Sequence, residues 1–374
     1  MKNKFLFTVI LTSLCLLLFI VKTFAQEGFN TQTFKVSKGG NLRVDLSGGD
    51  IQIKTGNNNE VKVSNEEDEG YSSVSVYQDG NDITVKSDDY VDFIITVPNE
   101  FNLSLNTSGG DINVLNNIKG KVKVNTAGGD INLKEVNGEL TASTAGGNIT
   151  SGNVIGNVKL SSGGGDVFVG KVEGSCIVST GGGNVTVDNV TKSLNVTTGG
   201  GNIDCKNIGS TVKIISGGGN ISVDKISGAM TLTTGGGDVN GISINKGGEV
   251  TTGGGNVNLK NISDFIIITT GAGDITAEFK SVGGSKSNIQ TGTGNITVYL
   301  PENAKATIVA QVKWADVWET DKQDFSEYIH SDFKSTQEEF REGEVYAVYE
   351  VNGGGTRIDL ETSLGDIQIK KLKR

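Results

Sequence analysis

"TTGGGNIDCKNIGSTVKIISGGGNISV", residues Thr197 to Val223, states one phrase twice: a Thr or Ser, three glycines, an Asn, then alternating aliphatic residues. The second statement begins 18 residues after the first. Alternation of period two within each half is the pattern of strands, not of helices.

The phrase recurs on both sides. Taking the Asp or Asn that closes each glycine run as a marker gives Asp111, Asp130, Asn148, Asp166, Asn184, Asn202, Asn220, Asp238, Asn256, Asp274 and Asn295. The first step is 19 residues, the next eight are 18 and the last is 21. A short unbroken period of this kind is the signature of a solenoid.

One residue after the marker the column reads Ile131, Ile149, Val167, Val185, Ile203, Ile221, Val239, Val257, Ile275; twelve after, it reads Leu160, Val178, Val196, Ile214, Leu232, Val250. Like residues stacked above like, in parallel strands, fill a thin dry interior. The predicted fold is therefore all-β: a parallel β-helix (β-solenoid) of about 18 residues per coil, closed at both ends by irregular β caps. Ten steps of about 4.8 Å make a rod of roughly 50 Å before its ends are added.

The glycines are expected to serve a sharp corner, where a residue without Cβ takes positive φ freely. The eleven markers are expected to form a structural turn ladder, by tolerating the left-handed region, bonding their own backbone, or bonding along the stack. The competing reading is a calcium β-roll, whose nine-residue repeat taken twice also gives 18. That motif needs two Gly/Asp turns per coil. Here the second turn is irregular ("GKVEGS", "DNVTKS", "KNIGST", "DKISGA"), and six of the eleven markers are Asn, whereas calcium prefers carboxylates.

"SGGGDVFVGKVEGSCIVSTGGGNV" and its neighbours resemble the bacterial "putative adhesin" family, a domain of repeated Gly-Gly-Asp/Asn coils whose function is not established. "FKVSKGGNLRVDLSGGDIQI", "VPNEFNLSLNTSGGDINV" and "GGGTRIDLETSLGDIQIKK" are similar to that family's start, centre and end, so the resemblance spans about Phe34 to Lys371. It implies the β-helix fold and carries no catalytic motif.

The remaining composition agrees with a narrow fold. The chain has 374 residues, with 54 Gly, 2 Pro, 1 His and 6% aromatics, too few large side chains for a wide globular core. Lys2 and Lys4 precede an apolar run from Phe5 to Val21, and Thr23-Phe24-Ala25 suits a signal peptidase, so residues 1–25 read as a signal peptide. Without its three lysines the formal charge falls from −10 to −13. Such acidity argues against a nucleic-acid partner. No later segment reads as a membrane span.

The expected organisation is a signal peptide (1–25), an N-terminal β region and cap (26–105), the regular solenoid (106–298), and an aromatic-rich C-terminal cap (299–374). Pro98 and Pro301 mark the flanks of the regular coils. Before Pro98 an isolated "SGGD" ends at Asp50, and the region reads as strands joined by longer loops. After Pro301 aromatic density rises, and "SLGDIQI" around Asp366 reads as one more coil. Capping of exposed strand edges is the first reading of both flanks. The second makes the C-terminal flank a partner-binding head, with Trp314, Trp318, Tyr328 and Tyr346 as anchors.

No catalytic residue, cofactor or metal site is expected. The lone His330 in "SEYIHSDF" has no evident nucleophile beside it, and Cys176 and Cys205 replace aliphatic residues in two different inward columns. The functional expectation is an exported, non-catalytic solenoid, adhesin-like or a structural scaffold at the cell envelope. It would be periplasmic, cell-surface or secreted, and contact a surface or extracellular protein or glycan. The alternative is a polysaccharide-processing β-helix enzyme, which would need an acidic or basic cluster facing one groove, supplied by the irregular flank.

Overall fold

A computed structural model describes residues 31–65, 73–313, 325–341 and 343–373. The proposed signal peptide, Trp314 and Trp318 lie outside the described residues. Among the described residues no helix is long and apolar enough to cross a membrane.

The chain forms two long sheets facing each other across one aliphatic core. Sheet I collects the strands that follow each glycine run, such as Ile203–Ile208; sheet II collects those that lead into the next run, such as Val212–Ser216. In sheet I, Ile203 lies between Val185 and Ile221, and in sheet II, Ile214 lies between Val196 and Leu232, all strands parallel. Ile203, Ile214 and their column mates are buried, as the alternation predicts. In the earliest regular coils the sheet I strand is split by a bend, as in Ile131–Leu133 and Val136–Asn137; from Val167–Val172 onward it runs as one strand.

Cys176 and Cys205 are free, buried and set in separate sheets. Burial pushes the Cys176 thiol up to about 12. Burial, with Asp204 nearby, pushes Cys205 up as well. Both behave as small apolar residues with the thiolate suppressed.

In the middle of the rod spatial order follows chain order. At the ends it does not. Gly40–Gly48 lies in sheet II between Asp82–Tyr90 and Phe101–Thr107. Ile51–Gly56 lies in sheet I between Phe93–Pro98 and Ile112–Val114. The first coil is thus one level in from the end, and the chain goes outward to build the terminal level before returning to the regular stack.

The C-terminal end mirrors this arrangement. Thr356–Thr362 lies between Ser287–Thr291 and Ala306–Lys313, and Ile367–Lys371 between Ile296–Leu300 and Ile329–Ser331. The "SLGDIQI" coil is therefore also the penultimate level. Beyond it, sheet II ends in the antiparallel strands Glu344–Val351 and Gln337–Arg341. At the other end Ser75–Asp79 closes sheet II, and Glu60–Asn65 with Thr31–Lys35 closes sheet I, again antiparallel. A solenoid coil is expected to touch only its neighbours in sequence; here both terminal coils touch neighbours that are dozens of residues away.

Candidate functional sites: the turn ladder and the C-terminal cleft

Each marker's backbone N–H donates to the side-chain Oδ1 of the marker one level before it. Asn202 donates to Asn184 at 2.9 Å, Asn220 to Asn202 at 2.8 Å and Asp238 to Asn220 at 2.8 Å. The same bond, 2.7–2.9 Å long, joins Asp111, Asp130, Asn148, Asp166, Asn184, Asn256, Asp274 and Asn295 into one column. It continues through the exchanged levels: Asp111 donates to Asp50, Asp50 to Asp92, and Asp366 to Asn295.

None of these markers sits at positive φ; among the described non-glycine residues only Asn261 and Asn352 do. The bond also runs between coils rather than back to the marker's own backbone. The ladder asks only for a short side chain carrying an acceptor oxygen, which Asn and Asp both supply. That explains why the two alternate freely along the column.

The glycines act by close approach rather than by backbone conformation. At the third glycine of each run a Cβ would overlap the carbonyl oxygen of its counterpart one coil earlier, as at Gly201 over Gly183 and Gly219 over Gly201. At the middle glycine there is open space, as at Gly200 and Gly218. The sequence agrees with this asymmetry: Ala272, Thr293 and Leu364 stand at middle positions. Neither Gly201 nor Gly219 has positive φ, so the expected corner conformation is replaced by a steric requirement.

A third device was overlooked in the sequence. The Thr or Ser before each run of three glycines is buried, and its hydroxyl joins two coils. Thr198 Oγ1 donates to the Gly183 carbonyl at 2.9 Å and accepts from the Gly201 N–H at 3.1 Å. Ser216 and Thr234 repeat both bonds. The available signal was a hydroxyl residue recurring on the inward parity of an otherwise aliphatic strand.

Of the proposed C-terminal anchors, the two among the described residues, Tyr328 and Tyr346, lie at different sheets. Tyr328 is half-buried against the core beside sheet I, its carbonyl accepting from the Ile367 N–H at 2.9 Å. Tyr346 lies in sheet II with the outward parity of Glu344–Val351, opposite Gln311 and Glu339.

The structure instead brings Phe325, His330, Phe333, Glu338, Tyr349 and Lys370 around a cleft of about 600 Å³ at the C-terminal end of the rod. Tyr349 points inward from Glu344–Val351 and is only 2% exposed. Burial, aided by the nearby Glu338, pushes its phenol up to about 12, so it is neutral and a donor. Ser335 Oγ and Glu338 Oε1 are hydrogen-bonded at 2.5 Å. Phe325 and Phe340 meet edge to face with centroids 5.9 Å apart. Among the described residues no group of His, Cys, Asp and Glu has a metal-binding arrangement.

Stacked parallel coils, a Gly-Asp or Gly-Asn corner in each regular coil, and exchanged terminal levels define a β-solenoid repeat protein. The chain belongs to the Toastrack DUF4097 family, which it matches over residues 40–209 and again over 192–370. Among solved structures it is similar to one described as a "putative cell adhesion protein" from Clostridium sporogenes ATCC 15579. That likeness has 10% identity and a TM-score of 0.17, over 93% of this chain and 100% of that one. No curated protein matches the chain.

Proposed function

We propose that this chain is an exported, non-catalytic solenoid that serves as an adhesin-like or structural scaffold at the bacterial cell envelope. In this reading residues 1–25 are a cleaved signal peptide, the coils are a stiff stalk, and the C-terminal end makes contact with a surface or extracellular partner.

The observation that supports it most is how the repeat uses its polar groups. Marker oxygens, Thr and Ser hydroxyls and corner amides are engaged between adjacent levels. What repeats along the rod serves its continuity, and the distinctive side chains collect at one end.

The test is binding of residues 26–374 to intact bacterial cells and to an array of glycans and matrix proteins, together with turnover on a polysaccharide panel. Saturable binding without turnover is the expected result. A folded chain that binds nothing removes the adhesin part and leaves the scaffold. Turnover overturns the non-catalytic reading. Truncation at Leu300 is an unsuitable control, because it strips Thr356–Lys371 from Ser287–Thr291 and Ile296–Leu300 and uncovers the core.

A further inference from the structure

We propose that the cleft at the C-terminal end of the rod binds a neutral sugar unit, with the Tyr349 hydroxyl and the Glu338 carboxylate as its hydrogen-bonding groups. The inference rests on the reading of this end as the contact end and adds a ligand class and named residues to it.

The first observation is the contrast between the ends. At the N-terminal end Phe93 and Phe101 are fully buried and fill the core between the sheets. At the C-terminal end Phe325 and Phe333 are only half-buried, and an opening of about 600 Å³ lies beside them. That size falls within the roughly 300–1,000 Å³ typical of small-molecule sites.

The second observation is independent of shape. Tyr349 is nearly inaccessible, lines the cleft, and its hydroxyl has no hydrogen-bond partner among the described residues. The hydroxyl is not among the fully buried polar atoms, so it meets the cleft rather than the core. A ligand hydroxyl in the cleft would satisfy it. Glu338 offers the complementary acceptor, since Ser335 engages only its Oε1.

Charge and surface select the class of ligand. Asp332 and Glu338 stand among Lys334 and Lys370 around the opening, with the Lys371 ammonium over the Phe333 ring, so charge of both signs is mixed there and no single-sign pocket for an ion is formed among the described residues. A neutral molecule carrying both donors and acceptors on an apolar C–H face fits such a lining, and Phe325, with the part of the Phe333 ring that Lys371 does not cover, supplies apolar surface for that face. A hexose has this combination.

The experiment uses residues 26–374, titrated with neutral glucose-, galactose-, mannose- and N-acetylglucosamine-based disaccharides and followed by ligand-observed NMR and calorimetry. Binding of at least one is expected. Tyr349→Phe and Glu338→Gln should each weaken it fivefold or more, while Tyr90→Phe, exposed at the opposite end of the rod, leaves it unchanged. Tyr349→Phe should not lower Tm, because the hydroxyl it removes has no protein partner.

No binding to any sugar, binding indifferent to both cleft variants, or a clear fall in Tm for Tyr349→Phe would each overturn the proposal. Retention on protein spots of the array, with no sugar bound, would assign the end to a protein partner and do the same. Cell binding without sugar binding defeats this inference alone. Sugar binding without cell binding sustains it and defeats the adhesin reading.

Discussion

In the central coils each level lies beside the one made just before it, whereas at both ends the last two levels are exchanged. The exchanged coils are related in sequence: "LRVDLSGGDIQIK" (42–54) and "TRIDLETSLGDIQIK" (356–370). Each presents an outward Arg–Asp pair, Arg43 Nε to Asp45 and Arg357 Nε to Asp359, both at 2.6 Å. A terminal segment is the usual place for fraying. Here the terminal coils are paired on both sides, and in sheet II the outermost positions fall to antiparallel strands from between those coils, Ser75–Asp79 at one end and Glu344–Val351 with Gln337–Arg341 at the other, which shield the parallel edges. The centre shows what one level needs; the ends show that those needs can be met by segments distant in sequence.

The largest test of that equivalence is steric. Gly219→Ala, in the centre, would drive a methyl into the Gly201 carbonyl, and Gly365→Ala, in the exchanged C-terminal coil, into the Gly294 carbonyl. Backbone occupies both places and cannot step aside without breaking the ladder. We expect each to cost about 3 kcal/mol or more, at the severe end for single substitutions. Gly218→Ala faces open space and should stay within about 0.5 kcal/mol. Urea unfolding of the three variants gives the comparison. If Gly365→Ala is silent while Gly219→Ala is severe, the terminal coil is not held as a true level.

Much of this fold was legible in the sequence, and the parts that were not have physical reasons. The columns through Ile203 and Ile214 could be read because a strict period and a strict alternation coincide. The level taken by a terminal coil could not, because Ile51 meets Ile112 on one side and Phe93 on the other, and either neighbour suits an aliphatic column. The glycine runs revealed where a side chain is forbidden but not why; only Ala272, Thr293 and Leu364 hinted that the middle position is free. At the cleft, aromatic density pointed to the flank but did not single out Phe325, Phe333 and Tyr349, the rings that line it. Parity along "EVYAVYEV" (344–351) groups Tyr349 with the inward Val345, Ala347 and Val351 and turns Tyr346 outward. Convergence of Phe325, Glu338 and Lys370 on Tyr349 depends on the exchange of levels, which the sequence does not encode locally.

A smaller effect is expected from the buried hydroxyls. Thr198→Val keeps the shape but leaves the Gly183 carbonyl and the Gly201 N–H without their side-chain partner. Thr362→Val does the same to the Gly294 carbonyl, at 2.8 Å in the native chain. Each should cost about 1–3 kcal/mol, the range for a buried polar group left unsatisfied. Equal losses in denaturant unfolding would extend the equivalence of centre and end to polar interactions. A much smaller loss for Thr362→Val would mean that water already reaches the terminal level.

The smallest effect belongs to the marker column, because it lies at the surface. Asn202→Ala removes the acceptor for the Asn220 N–H, and Asn295→Ala removes the acceptor for the Asp366 N–H, a bond that spans 71 residues of sequence. Water can replace either acceptor, so the loss should be about 0.5–1.5 kcal/mol, that of an ordinary hydrogen bond. Asn295→Asp keeps the oxygen and should change stability less than Asn295→Ala does. That ordering separates the two physical accounts of the column. If the amide's own donors mattered, Asp would be as damaging as Ala; if only the acceptor matters, the free mixture of Asp and Asn from Asp50 to Asp366 follows, and the column tolerates either residue at any level, including the one where the chain doubles back.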